Sequence, residues 1–180
     1  MRRTVVLGAC FAALALPAAV SAMLAAPGDG SLVVKNASGP RSGNVAVVAL
    51  TINGAAFGHV DQGHIVIDDP TPNTGPSPEV NAGPTGVVGR KDYPAMSDTA
   101  QIWGGTDFKF RAVGGRYTIL IYGSGIDVVA LGTGTVTLTG LTNTPLSDGS
   151  YSLNGADFHS LPGQSTKLLT IGTPPALPNG

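Results

Sequence analysis

Hydrophobic and polar residues alternate with a period of two along much of the C-terminal half of the chain. In "FKFRA", residues 108–112, apolar side chains are separated by a lysine and an arginine, and in "TVTLT", residues 135–139, they are separated by threonines. A β-strand places successive side chains on opposite faces, so that one face can be buried while the other meets solvent. The pattern therefore predicts half-buried β-strands in both stretches.

Glycines divide the same region at a regular interval. Gly114, Gly123 and Gly132 follow one another at intervals of nine residues, and stretches rich in Val, Ile, Tyr and Thr lie between them. Gly114-Gly115 and Asn53-Gly54 predict two-residue hairpins, because glycine accepts the positive φ that such turns require. These glycines are therefore expected to turn the chain between strands.

The earlier half of the chain repeats this design. Residues 45–69 align with residues 116–140 without a gap, at an offset of 71. Further strands are predicted in three places: Ser31–Lys35, Gly149–Asn154 and Lys167–Ile171. A short strand at Val87-Val88 is also possible. The fold class predicted is all-β: a single antiparallel β-sandwich or flattened barrel of about 10–12 strands, built from glycine-turned hairpins. A β-solenoid is the alternative, because a nine-residue spacing could also mark its rungs.

The stretch "GSGIDVVALGTG", residues 123–134, has the glycine content of a nucleotide-binding loop. A dinucleotide-binding loop requires glycine at its sixth position and a helix behind it. Here the sixth position is Val128, and a strand pattern follows. We therefore interpret these glycines as turn residues, and we predict no cofactor.

The first 22 residues have the composition of a secretory signal peptide. Two arginines precede an apolar stretch, and small residues follow it up to Ala22. We expect cleavage after Ala22 and a secreted or extracytoplasmic location in a bacterial cell envelope; retention as an uncleaved anchor is the alternative. Cleavage would remove Cys10, the only cysteine, and leave eight Lys and Arg against eleven Asp and Glu, a net charge of −3. Nucleic acid is not an expected partner of such a chain.

The mature chain is expected to form one domain, residues 23–171, followed by a flexible tail at 172–180. Glu79 is the only glutamate and helix-forming residues are scarce, which favours β-structure. Residues 69–99 are rich in proline and glycine and are predicted to form a long loop. Loops of this length in a compact domain are usually functional or disordered.

Three stretches carry a resemblance to known proteins. "GHVDQGHIVIDDP", "GTDFKFRAVGGRYTILIYGSGIDVVALGTGTVTL" and "GSYSLNGADFHSLP" resemble an uncharacterised family of secreted all-β proteins from high-GC bacteria. The likeness covers most of the mature chain except the proline-rich segment. It consists of turn glycines and strand residues, so it implies a fold and carries over no functional residue, and the family has no assigned activity.

Two sets of side chains are candidates for ligand binding. His59 and His64 flank Asp61-Gln62-Gly63, where a turn would bring the imidazoles together, and with Asp61 they are weak candidate metal ligands. Solvated side chains beside a turn are the alternative, and we predict no metal. Trp103 and Tyr93 lie near the long loop and are candidates for stacking on sugar rings if exposed; burial in the core is the alternative.

Motifs for catalysis are lacking in the sequence. A Gly-x-Ser-x-Gly nucleophile elbow is absent. We therefore predict a non-catalytic, envelope-associated protein with a binding or structural role and no membrane span after signal cleavage. Its expected partner is cell-wall polysaccharide or another envelope protein, with the 69–99 loop as a candidate contact surface; a tolerated insertion without a function is the alternative for this loop. The alternative is a secreted hydrolase that acts on wall polysaccharide through aspartates such as Asp107 and Asp127.

Overall fold

A computed structural model shows seven β-strands in one antiparallel sheet that is not closed into a barrel. The structure describes residues 26, 28–36, 46–72, 75–81, 97, 99–140 and 149–173, and no helix occurs among them. The strands are β1 (Gly30–Asn36), β2 (Ala46–Asp68), β3 (Glu79–Asn81), β4 (Ala100–Gly140), β5 (Gly149–Leu153), β6 (His159–Ser160) and β7 (Lys167–Ile171). The predicted all-β antiparallel class is confirmed, as are the strands predicted near β1, β5 and β7.

Strand β2 has β4 as its neighbour along both edges. Ala46 pairs with Gly123 on one edge and with Gly140 on the other, and Asp68 pairs with both Ala100 and Thr118. The two stretches of β4 that flank a given β2 residue are 17 or 18 residues apart along the chain. The β2–β4 ribbon is therefore coiled, so that its successive turns hydrogen-bond to one another.

The register divides this coil into two layers. The first layer contains residues 46–51, 63–68, 100–105, 118–123 and 135–140, with β7 at its edge. The second layer contains residues 55–60, 108–113 and 126–131, together with β1, β3, β5 and β6. Each long strand therefore crosses from one layer to the other, and the sheet is folded over itself as a sandwich.

A single hydrophobic core lies between the layers. Leu50 and Ile121 of the first layer belong to the same buried cluster as Phe108 and Val128 of the second. The alternation predicted at 108–112 and 135–139 is confirmed, since the apolar residues in both stretches are buried. Burial of these side chains is the main stabilising contribution expected for the sandwich.

Glycines lie where the backbones of crossing strands approach each other closely. Gly54 and Gly132 are register partners, and both have positive φ angles, 147° and 132°. A Cβ at Gly132 would overlap the carbonyl oxygen of Asn53, and a Cβ at Gly54 would overlap that of Leu131. The nine-residue interval between glycines therefore corresponds to about half a turn of the coil. The interval thus reflects a regular coiling of the chain, as the rung spacing of a solenoid would.

The predicted hairpins at these glycines are wrong. Ala55 pairs with Val113 and Gly54 pairs with Gly115, so both strands continue through the glycines in the same direction. Gly114, with a φ of 77°, is the extra residue of a β-bulge between these two pairs. Glycine permits positive φ in a bulge or a bend as readily as in a hairpin, so the local sequence does not distinguish them.

In the segment predicted as a long loop, residues 69–99, the described residues include one short strand, β3. β3 pairs with residues 109–111 at the edge of the second layer, which the composition of the segment does not indicate. The Tyr117 hydroxyl donates a hydrogen bond to the carbonyl of Pro76 (3.1 Å) or of Val113 (3.0 Å). The predicted signal peptide, the possible strand at Val87-Val88 and residues 174–180 lie outside the described residues.

Tyr117 gives the protein an expected dependence on alkaline pH. Burial and the nearby Asp69 carboxylate raise the pKa of Tyr117, and its hydrogen bond with Val113 opposes this. The folded state therefore favours the neutral phenol, and this contribution to stability is present below the ordinary pKa of about 10 and lost as the pH rises through the raised value. The advantage in melting temperature of the wild type over Tyr117→Phe should shrink above about pH 10.

Tyr122→Phe is the control for this experiment, because the Tyr122 side chain is exposed. Melting temperatures measured for the three proteins between about pH 8 and 11 provide the test. A wild-type advantage over Tyr117→Phe that stays constant across this range would contradict the prediction.

Candidate functional site

The predicted aromatic pair is only partly described by the structure. Trp103 is half-buried and packs against the core cluster, which leaves only part of its ring open to a ligand. Tyr93 lies outside the described residues. The structure thus gives Trp103 a packing role against the core.

The histidines are not brought together by a turn, because β2 continues as strand through residues 61–63. His59 instead lies between two carboxylates: its Nε2 is 2.9 Å from Asp107 Oδ1, and its Nδ1 is 3.5 Å from Asp61 Oδ1. Within the described ranges, no group of three or more His, Cys, Asp or Glu side chains could hold a metal ion. The metal site considered from the sequence, His59 with Asp61 and His64, is therefore not formed there.

The His59 contacts lie where the strands cross between layers. Asp107 has a φ of 52°, a left-handed conformation that is uncommon for a residue other than glycine. The Asp61 carboxylate lies over Gly125, where a Cβ would overlap it. Since Asp61 and Asp107 belong to β2 and β4, the imidazole joins the two strands at this crossing. A structural role of His59, holding β2 and β4 together where they cross between the layers, accounts for all of these contacts.

The aspartates considered for hydrolysis do not lie in an apolar pocket. The Asp107 side chain is 83% exposed and hydrogen-bonds His59, and Asp127 forms an ion pair of 3.7 Å with Lys35 and is 60% exposed. A glycosidase keeps one carboxyl group protonated, commonly by burying it against apolar side chains. Neither aspartate has such surroundings.

A row of threonines crosses the outer face of the first layer. Thr118 is the register partner of Thr51, Thr51 pairs with Thr135, and Thr135 pairs with Thr170. The residues that alternate with them, such as Val136, are buried in the core, so the four threonines face away from it. Since neighbouring strands are about 4.8 Å apart, the row is roughly 14 Å long.

More threonines extend this surface along β4. The odd-numbered positions from 133 to 139 are all threonine and alternate with inward-facing residues. Together with Thr51, Thr118 and Thr170, we call these residues the threonine face. Each threonine carries one hydroxyl group and one methyl group, so the face presents both kinds of group side by side. Such a surface suits contact with a ligand that is itself partly polar and partly apolar.

An open groove of about 530 Å³ lies at one end of the threonine face. This volume is within the range of about 300–1,000 Å³ that is usual for ligand sites. We call it the threonine groove; its lining residues are Thr51, Ile52, Asn53, Arg116, Thr133, Gly134, Thr135 and Thr170. The groove therefore combines hydroxyl, amide and guanidinium groups on a rigid sheet.

The sequence indicates only part of this groove. The alternation at 135–139 places Thr135 on the solvent side, but Thr51, Arg116 and Thr170 come from distant parts of the chain. Only the pairing of β4 with both β2 and β7 brings these residues together. No local motif could have identified the site.

The fold and the groove define an all-β sandwich with an open groove on its outer face, lined mainly by threonines together with Asn53 and Arg116. Comparisons with protein-family models, with curated proteins and with solved structures find no match to this chain. In the part of the chain that the structure describes, no helix is long and apolar enough to cross a membrane.

Proposed function

We propose that this protein is a secreted, non-catalytic, envelope-associated binding protein whose ligand is a polysaccharide held in the threonine groove. The observation that carries the proposal is the lining of the groove, to which four threonines, Asn53 and Arg116 all contribute. These groups can donate or accept hydrogen bonds to the hydroxyls of a sugar chain. The signal-like first 22 residues support the extracytoplasmic location.

The shape of the site favours a chain over a single sugar. The threonine row continues beyond the groove to Thr118 and is roughly 14 Å long in total. An extended polymer could therefore contact several hydroxyls in succession. Rigid β-strands hold these hydroxyls in place before binding, so little conformational entropy is lost when the ligand binds.

The 69–99 segment is a second candidate for the contact surface. Near its end, the Ser97 and Thr99 hydroxyls donate to the Asp68 carboxylate, and Asp68 is the register partner of Thr118. The end of this segment therefore lies next to the threonine row. A ligand on the row could contact both surfaces, and the experiment must separate them.

The test replaces groove hydroxyls by methyl groups of the same shape. The triple variant Thr51→Val, Thr135→Val, Thr170→Val is expected to bind purified cell-wall polysaccharide roughly 10-fold to 2,000-fold more weakly than the wild type, because each net hydrogen bond contributes about 0.5–1.5 kcal/mol and three together contribute about 1.5–4.5 kcal/mol. Valine is favourable in strands, so the fold should persist. Affinity is measured by sedimentation with the polysaccharide, and circular dichroism checks the fold.

Thr106→Val is the matched control, since Thr106 is exposed and lies outside the groove. A second comparison replaces residues 70–98 by a short Gly-Ser linker. Wild-type affinity in the triple variant would contradict the proposed site, and loss of binding in the linker variant alone would assign the contact surface to the 69–99 segment. Retention of an envelope protein in place of polysaccharide would contradict the proposed ligand class.

A further inference from the structure

We infer that the threonine groove selects polysaccharides that carry anionic groups, and that Arg116 is the residue that recognises the charge. The inference rests on the proposed function and specifies the chemical class of the ligand. A carboxylate on a sugar and a phosphate in a polyol chain share the required chemistry: negative oxygens attached to a hydroxyl-rich polymer.

Arg116 is the only charged residue among those that line the groove. Its side chain is exposed, and it has neither an ion pair nor a hydrogen bond with any residue that the structure describes. Lys35 differs, because its ammonium group is engaged by Asp127 at 3.7 Å, and Lys167 donates to the Tyr151 hydroxyl at 2.6 Å. No described residue therefore competes with a ligand for the hydrogen-bond donors of the Arg116 guanidinium.

The register places Arg116 beside the threonine row. Arg116 pairs with Asn53, which in turn pairs with Thr133, and this line of residues runs next to the line through Thr118, Thr51 and Thr135. Two residues along a strand separate the lines by about 6.8 Å. A sugar chain lying along the threonine row would therefore hold a pendant acidic group close to Arg116.

The chemistry of the guanidinium favours an anion over a neutral sugar. Its planar fork can donate two parallel hydrogen bonds to a carboxylate or a phosphate, and such charge-assisted bonds are about twice as strong as neutral ones. Asn53 and the threonines can complete the contact by binding the neighbouring hydroxyls. Recognition would then require both an anionic group and a polyol.

The nearest acidic residue in register with the row does not oppose this role. Asp68 pairs with Thr118, which is two residues from Arg116 along β4, so Asp68 lies at the same end of the row as Arg116 but does not line the groove. The Asp68 carboxylate already accepts hydrogen bonds from Ser97 and Thr99. Arg116 is therefore the only charged residue that lines the groove itself, even though acidic residues outnumber basic ones in the whole chain.

The test compares three polymers of similar length: polygalacturonate, which carries carboxylates; poly(glycerol phosphate), which carries phosphates; and neutral dextran. Isothermal titration calorimetry with the wild type should show at least one anionic polymer binding about 10-fold more tightly than dextran. The ratio of the two affinities should fall close to one in Arg116→Gln. It should recover in part in Arg116→Lys, since lysine restores the charge without the fork.

Arg111→Gln is the matched control, because Arg111 is an exposed arginine of β4 in the second layer. It should keep the wild-type ratio, which separates a local effect of Arg116 from a general effect of net charge. An equal fall in Arg111→Gln and Arg116→Gln would overturn the inference. The polymer that shows the larger ratio identifies carboxylate or phosphate as the preferred group.

The failures of the two proposals can be distinguished. If dextran binds the wild type as tightly as both anionic polymers and Arg116→Gln changes nothing, the inference is wrong and the proposed polysaccharide binding stands. If none of the three polymers binds, both are wrong.

Discussion

Phe108→Ala is expected to lower the free energy of unfolding by about 3–5 kcal/mol, the usual cost of removing a fully buried phenylalanine ring. Phe108 is completely buried in the core cluster, in the stretch of β4 that belongs to the second layer. Its ring contacts a core to which both layers contribute, so its loss leaves a cavity between them. The sheet cannot collapse onto this cavity easily, because the long strands are fixed where they cross.

Phe158→Ala provides a control with the same chemical change. The Phe158 side chain is 56% exposed, so truncation should change stability by less than about 1 kcal/mol. Urea unfolding followed by circular dichroism measures both variants against the wild type. Equal losses in the two variants would show that the core between the layers is not where the structure places it.

Gly132→Ala is expected to cost roughly 2–5 kcal/mol, because strain and overlap act at the same position. The φ of Gly132 is 132°, which an alanine rarely adopts, and the new Cβ would overlap the carbonyl oxygen of Asn53. This overlap involves backbone on both sides and cannot be relieved by rotating a side chain. Relief would require β2 and β4 to move apart at their crossing.

Gly155→Ala separates the two effects. Gly155 also has a positive φ, 74°, but no atom lies within 4 Å of the position that a Cβ would occupy. Only the conformational cost remains there, about 1–2 kcal/mol. Unfolding measurements should therefore rank Gly132→Ala well below Gly155→Ala in stability, and equal stabilities would contradict the close approach of the two strands.

The candidate site shows how local and distant information differ. That Thr135 faces solvent can be predicted from the alternation of polar and apolar residues at 135–139, which involves only five consecutive residues. Its partnership with Thr51 and Thr170 depends on pairing across 84 and 35 positions of the chain. None of the candidate ligand-binding residues named from the sequence lines the groove, because they were chosen for residue type and not for shared position. His59, for example, contacts Asp107 through a crossing of strands that no local pattern reveals.

The sequence by itself determined the all-β class and the inward face of residues 108–112 and 135–139, but not the number of strands: seven are described where about 10–12 were predicted. Period-two alternation, abundant β-branched residues and the scarcity of helix formers all act over a few residues, so they can be interpreted without knowing the fold. Tertiary structure alone decided what the glycines do and where the groove lies. Gly54 and Gly114 accept positive φ in a hairpin, a bulge or a crossing, and the choice depends on which arrangement buries one continuous core. That burial is a property of the whole coil. The same coil places Arg116 beside threonines that come from β2, β4 and β7.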